Sequence, residues 1–153
     1  MGRMYSATFD QVAVTAAQDL FEINAPADAA VIVHGFEISQ SSEFGDAADE
    51  QLILLVHRAS TSGSAGSTPT AAPMEVGDAA FGGTVEANNT TQGTEGTQIH
   101  AASFNVRAGY VQWWTPETRP VISPSGRLVI ELQVAPADSV TMDGVVYFEE
   151  IGG

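Results

Sequence analysis

The feature that most constrains this chain is the length of its apolar blocks. Each run of apolar residues is strand-sized and is closed by Gly, Pro, Ser, Asn or Asp before a helical stripe could develop. The blocks predict strands over Tyr5–Val14, Asp19–Asn24, Ala30–Ser39, Gln51–Arg58, Thr84–Glu86, Ile99–Val106, Tyr110–Thr115, Arg127–Val134 and Val145–Glu150. The breaks between them have mechanisms. Ala25-Pro26-Ala27-Asp28 couples a fixed φ to a side-chain acceptor. Met142-Asp143-Gly144 reads as a hairpin turn before the last strand. Pro116, Pro120 and Pro124 keep the crossing from Thr115 to Ser125 extended. A helical turn is expected only near Thr15–Asp19 or Phe44–Glu50. Such a series of short strands points to an all-β fold, an antiparallel β-sandwich.

Two of the strands lack a polar face. Val31-Ile32-Val33 and Leu52-Ile53-Leu54-Leu55-Val56 are apolar on both sides, unlike a half-exposed antiparallel strand. Either loops of the chain cover the second face or a neighbouring subunit does. By contrast, Leu128, Ile130, Leu132 and Val134 alternate with Val129, Glu131 and Gln133 in the manner of a strand with one wet side. The expected inward set is Val31, Val33, Ile53, Leu55, Leu128, Ile130, Leu132 and Phe148.

Polar tracts interrupt the blocks. Ser60–Pro73 (STSGSAGSTPTAAP) and Asn88–Thr97 (NNTTQGTEGT) have loop composition, and neither flank of the first holds a complete strand set. Residues 1–153 therefore read as one domain with long Ser/Gly/Thr-rich loops at 60–76 and 87–97 and an N-terminal arm at 1–8. The opening MGRMYSATFD carries no apolar run of the kind an export signal needs, and no stretch approaches the ~20 residues of a membrane span. A soluble protein is expected.

Charge narrows the partners. Nineteen acidic residues stand against five basic ones, for a net charge of -14. Such a surface repels phosphate backbones and anionic headgroups, so nucleic acid and membrane are disfavoured as partners. All the basic residues are arginines (Arg3, Arg58, Arg107, Arg119 and Arg127), whose planar fork suits fixed carboxylate pairs at interfaces. With no cysteine, disulfides and thiolate metal sites are excluded.

Signatures of catalysis are scarce. His34, His57 and His100 each fall within a predicted strand, and no two have the close spacing that puts both nitrogens on one metal. Convergence of all three across strands stays open. No Gly-x-Ser-x-Gly elbow is present, and a lysine-free chain cannot carry a Walker A loop. Glu43, Asp46, Asp49 and Glu50 surround a glycine and could hold Ca2+, but their spacing departs from the EF-hand loop. A solvated acidic loop is the expectation. Tyr110, Trp113 and Trp114 form the one aromatic concentration, and on a strand the two indoles point to opposite faces. One should meet the core and the other a loop, a partner or a sugar ring. No catalytic residue, cofactor or metal ligand is assigned.

The order of these blocks is MYSATFDQVAVTAAQDLFEINAP, AVIVHGFEISQSSEFGDAADEQLILLVHRAS, the Ser/Gly tract, FNVRAGYVQWWTPETRPVISPSGRLVIELQVAP and a terminal VVYFEEIGG. It resembles the small β-sandwich cement or decoration proteins of tailed-bacteriophage heads. The resemblance covers nearly the whole chain in style and block order, without a diagnostic short motif. It implies a jelly-roll-like sandwich, commonly trimeric, seated on the exterior of the virion capsid against the major capsid protein, with no cofactor and no catalysis. On that expectation the attachment residues are Arg3 and Tyr5 in the arm, with Trp113 and Trp114 at the interface and the 60–73 tract as a second arm. The alternative is a receptor- or carbohydrate-binding head domain of the tail-fibre or lectin-like kind.

Overall fold

A computed structural model describes residues 2–42 and 50–152. Glu43, Asp46, Asp49 and nearly all of the Phe44–Glu50 turn lie outside the described residues. Among those described there is no helix. The elements are β1 (Arg3–Val14), β2 (Gln18–Asn24), β3 (Ala30–Gln40), β4 (Gln51–Ala59), β5 (Ala72–Pro73), β6 (Thr84–Asn89), β7 (Glu95–Asn105), β8 (Tyr110–Trp113), β9 (Val121–Ile122), β10 (Arg127–Leu132) and β11 (Val140–Ile151).

The strands pair antiparallel into two sheets. A front sheet runs β5-β1-β11-β3-β8, with β9 on another stretch of β3, and a back sheet runs β6-β2-β10-β4-β7. With β5, β6 and β9 set aside, each sheet keeps four strands, β1-β11-β3-β8 and β2-β10-β4-β7. The chain changes sheet at nearly every connection, which is jelly-roll connectivity. The expected fold class is the observed one.

Alternation fills the space between the sheets. The front sheet sends Tyr5, Ala7, Val33, Phe36, Val146 and Phe148 inward, and the back sheet sends Phe21, Ile23, Leu54, Val56, Leu128 and Ile130 to meet them. The rings of Tyr5 and Phe148 stack at 5.7 Å, and Phe81 closes on both at 5.4 and 4.9 Å. Removing one such ring, as in Phe148→Ala, typically costs about 3–5 kcal/mol.

Several local expectations are corrected. The expected arm at 1–8 is strand from Arg3 onward: these residues open β1, which pairs with β11 from Arg3↔Glu150. Tyr5 is fully buried, and its hydroxyl donates to the Ala79 carbonyl at 2.8 Å. Most of the polar tract at 87–97 is strand: β6 runs to Asn89 and β7 begins at Glu95, and only 90–94 cross between these two edge strands of the back sheet. The 60–76 loop is interrupted by β5, which pairs with β1 at Tyr5↔Pro73 and Ser6↔Ala72. No helical turn forms at Thr15–Asp19; residues 15–17 are a short link into β2. In β4 the inward set is Leu52, Leu54 and Val56, so Ile53 and Leu55 belong to the opposite face. Met142-Asp143-Gly144 is not a turn but lies inside β11. Gly144 sits opposite Phe9, and a Cβ there would stand 2.5 Å from the Phe9 ring. The glycine is needed for aromatic packing, not for reversal.

Candidate functional site

The outer faces of the two sheets carry the polar and aromatic side chains that the core does not use. On the front sheet, strand register sets the outward residues. Tyr147 lies opposite Gly35, Gly35 opposite Trp113, Glu37 opposite Val111, and Ile32 opposite Val121. A register shift between Tyr147 and Phe148 leaves His34 as the extra residue in β3. This bulge reverses the parity of the strand, so that Val31 and Val33 point inward before it and Phe36 and Ile38 after it.

The bulge places Gly35 beneath Trp113. A Cβ at Gly35 would lie 2.6 Å from Cε3 of the indole, so only glycine lets the ring settle on the sheet. The same indole stacks on Tyr147, with ring centroids 5.2 Å apart and planes inclined by 24°. Trp113 nonetheless keeps 52% of its surface exposed, flanked by Val111 at 58% and Val121 at 46%. Beside this apolar strip, His34 Nε2 lies 3.2 Å from Glu149 Oε2, and the Gly2 amide donates to Glu149 Oε1 at 3.1 Å. The result is an aromatic platform on the same sheet face as the His34–Glu149 contact.

The outer face of the back sheet is built differently. Asp19, Glu22, Asn89, His57 and Glu131 are buried there. Residues 60–67 and 90–94 lie against them. The Gly63 amide donates to Glu22 Oε2 at 2.8 Å, and Ser62 donates to Glu22 Oε1. Gln92 Nε2 donates to Glu131 Oε1 at 2.7 Å. Arg127 supplies the countercharge, with Nε 2.8 Å from Glu22 Oε1. Burial pushes the Asp19 carboxyl up to about 6, against the opposing hydrogen bonds from Gln92 and the Gly93 amide.

The remaining expected residues are dispersed. Arg3 pairs within the chain, its Nη2 2.7 Å from Oε1 of buried Glu150, whose other oxygen accepts the Gly82 amide at 3.0 Å. The Arg3 guanidinium is therefore paired within the chain while its side chain stays 28% exposed, and Tyr5 is core. Trp114 turns the other way from Trp113 and packs on Phe36 and His100, with centroids at 5.8 and 6.2 Å. His100 Nε2 and the Tyr110 hydroxyl are 2.8 Å apart, and that hydroxyl donates to Gln112 Oε1 at 3.0 Å. The Tyr110 oxygen thus accepts from His100, and burial lowers the His100 pKa and raises that of Tyr110.

The three histidines do not converge, since His34 lies on the front outer face, His57 on the back outer face and His100 at the rim. Glu50 accepts the Ala137 amide at 2.6 Å. Sequence reasoning missed Gly35, Tyr147, Val111 and Val121. The signal for Tyr147 was the period-two alternation of its strand, which puts it on the face opposite Phe148.

Comparison with protein-family models, with curated proteins and with solved structures yields no match for this chain. No helix among the described residues is long and apolar enough to cross a membrane.

Proposed function

We propose that the chain is a non-enzymatic structural protein that seats on the exterior of an assembled bacteriophage capsid and bridges neighbouring copies of the major capsid protein. The front outer face is its docking surface, and the working form is a homotrimer. The observation that carries this reading is Trp113, half exposed and held flat over Gly35 against Tyr147. Large aromatics fixed on a rigid scaffold are the residues that dominate interface energies, because little side-chain freedom is lost on binding. The resemblance in block order supplies the partner class and the virion location.

Two further properties fit. A net charge of -14 keeps the protein away from packaged nucleic acid and from anionic lipid. A site formed only where capsid subunits meet would let a symmetric oligomer engage several positions at once, so attachment stabilises the assembled shell over its parts.

A second reading, a carbohydrate- or receptor-binding head, is favoured by one feature. Trp113 stacks on Tyr147, which shares the outer face of β11 with Glu149 and its His34 contact, so flat apolar surface and polar groups meet on one face as in sugar sites.

Co-sedimentation with intact heads, set against binding to unassembled capsid protein, tests the first reading. The expected result is attachment to heads only, abolished in Trp113→Ala. Equal binding to heads and free subunits overturns the bridging mechanism. Absence of head binding together with Trp113-dependent retention on a glycan array transfers the conclusion to the second reading.

A further inference from the structure

The back outer face holds a buried histidine–carboxylate pair at ion-pair distance whose facing atoms are not aligned as an ordinary hydrogen bond. His57 Nε2 and Glu131 Oε2 are 3.1 Å apart, both residues are 3% exposed, and neither atom has a hydrogen-bond partner. Their orientation is imposed from behind. His57 Nδ1 lies 3.1 Å from the Arg58 carbonyl, which can only accept, so Nδ1 carries a proton. In the neutral imidazole Nε2 then presents a lone pair. Glu131 is fixed through its other oxygen by the Gln92 amide at 2.7 Å. Two such atoms facing one another inside the protein require a positive species between or beside them, either a proton shared as an ion pair or a metal ion.

A third ligand stands nearby. Glu95, the exposed first residue of β7, brings a carboxylate oxygen so that ligand atoms of His57, Glu95 and Glu131 all lie within 4.8 Å of one another. The backbone is irregular at this point, with register shifts between β4 and β7 on both sides of His57. Bulges of this kind commonly re-aim a side chain at a site.

From this geometry we propose that His57, Glu95 and Glu131 form a binding site for a divalent transition-metal cation of the Zn2+ type. One imidazole nitrogen and two carboxylates match the donor preference of such ions, and a fourth position on the Glu95 side is left for water. Two ligands of a tetrahedral Zn2+ at ~2.0–2.2 Å stand roughly 3.3–3.5 Å from each other, close to the separation that His57 and Glu131 already hold. The Arg58 carbonyl behind Nδ1 and Gln92 behind Oε1 are the outer-shell partners that fix ligand orientation in such sites. The ion would fasten β7, an edge strand, to β4 and β10. No short spacing could announce it, because the three ligands come from three strands.

The test uses the full chain, stripped with EDTA, and Zn2+ as the probe. Titration calorimetry is expected to find one tight site per chain, and Zn2+ at 100-fold excess over Kd to raise Tm by roughly 5–10 °C. Mg2+ at the same concentration is expected to leave Tm unchanged. Glu95→Gln, at an exposed position, should preserve the metal-free Tm while weakening Zn2+ binding at least tenfold; His57→Gln should abolish the Zn2+ shift. The proposal is overturned by the absence of both heat and Tm shift with Zn2+, which would leave a proton as the species joining His57 to Glu131. It is also overturned by Zn2+ binding that persists at full strength in either variant.

Discussion

Strands β3 and β4 carry the same double-sided apolar pattern and meet opposite fates. The outer face of β4 belongs to the back sheet, where Leu55 lies beside His57 and Glu131 and is only 7% exposed. The chain's own Ser/Gly tract and the Thr90–Thr94 connection close against this sheet. They are tied to each other at Ser64↔Thr91 and by the Ser60 amide on the Thr94 carbonyl at 2.9 Å. The outer face of β3 belongs to the front sheet, where Ile32 lies beside exposed Val121 and Gly35 beneath exposed Trp113. What separates the faces is their polar content. Glu22 recruits amides from the 60–67 segment, and Glu131 recruits Gln92, because buried carboxylates must be satisfied. On the front face the Glu149 carboxylate meets the Gly2 amide and His34 instead, and Trp113, Val111 and Val121 stay exposed.

The comparison breaks first if the back face is not a true interior. Arg127→Met would leave Glu22, which has no exposed surface, without its cation. Stripping one partner from a buried pair costs about 3–5 kcal/mol, so urea unfolding should show a loss of that size. A loss below ~1 kcal/mol would mean that water reaches Glu22 and that the covering segments do not seal the face.

The front platform is tested by Gly35→Ala. The added Cβ would stand 2.5 Å from the Gln112 carbonyl oxygen as well as against the indole, and the backbone oxygen cannot swing away. Overpacking of this kind costs about 1–3 kcal/mol and should lift Trp113 off the sheet. A shift in Trp fluorescence without destabilisation would show that the ring is mobile already.

Much of this architecture was legible beforehand. Strand-length blocks and turn residues were enough for the all-β sandwich, and alternation was enough for the inward set of β10, but its other face, expected to be wet, is buried at Val129 and Glu131. Leu52–Val56 defeated the same logic, since a run apolar at every position does not disclose which half faces in. The tract at 87–97 was misread because Asn, Thr and Gln look like loop residues, whereas here they end β6, cross the outer face of the back sheet and begin β7, with side chains that satisfy buried carboxylates. Arg3 and Tyr5 looked like an arm because a short polar-flanked terminus gives no hint of a partner strand nearly 150 residues away. The adjacent tryptophans were readable to within one choice of face. Tyr147 and Gly35 were not, since a cross-strand stack depends on register and on the bulge at His34.

A smaller effect concerns pH. Asp19 has an ordinary carboxyl value of 3.8 and a folded value raised to about 6. The folded state therefore holds a proton that the unfolded chain releases between these values, so stability falls as pH rises through that window and stays reduced above it. Asp19→Asn removes the penalty while keeping an acceptor for Gln92 and offering a donor to Glu131. Measured in EDTA, a gain of about 1–2 kcal/mol is expected at pH 7 and none below pH ~4. A gain independent of pH would place its origin in packing rather than in the buried charge.

The smallest effect on folding is expected where the functional effect is sharpest. Trp113→Ala removes an indole that is half exposed and rests on a sheet surface, so its loss creates no cavity and should cost under ~1 kcal/mol. Its neighbour gives the control: Trp114→Ala opens a gap against Phe36 and His100 and should cost about 2–4 kcal/mol. If the front face is a docking surface, Trp113→Ala weakens attachment by tenfold or more with the unfolding curve almost unmoved, the signature of an interface anchor. Trp114→Ala should do the reverse, lowering stability while retaining attachment at temperatures where it stays folded. Equal losses of stability in the two variants would mean that Trp113 is a structural ring like Trp114. The bare face of β3 would then be only an uncovered one.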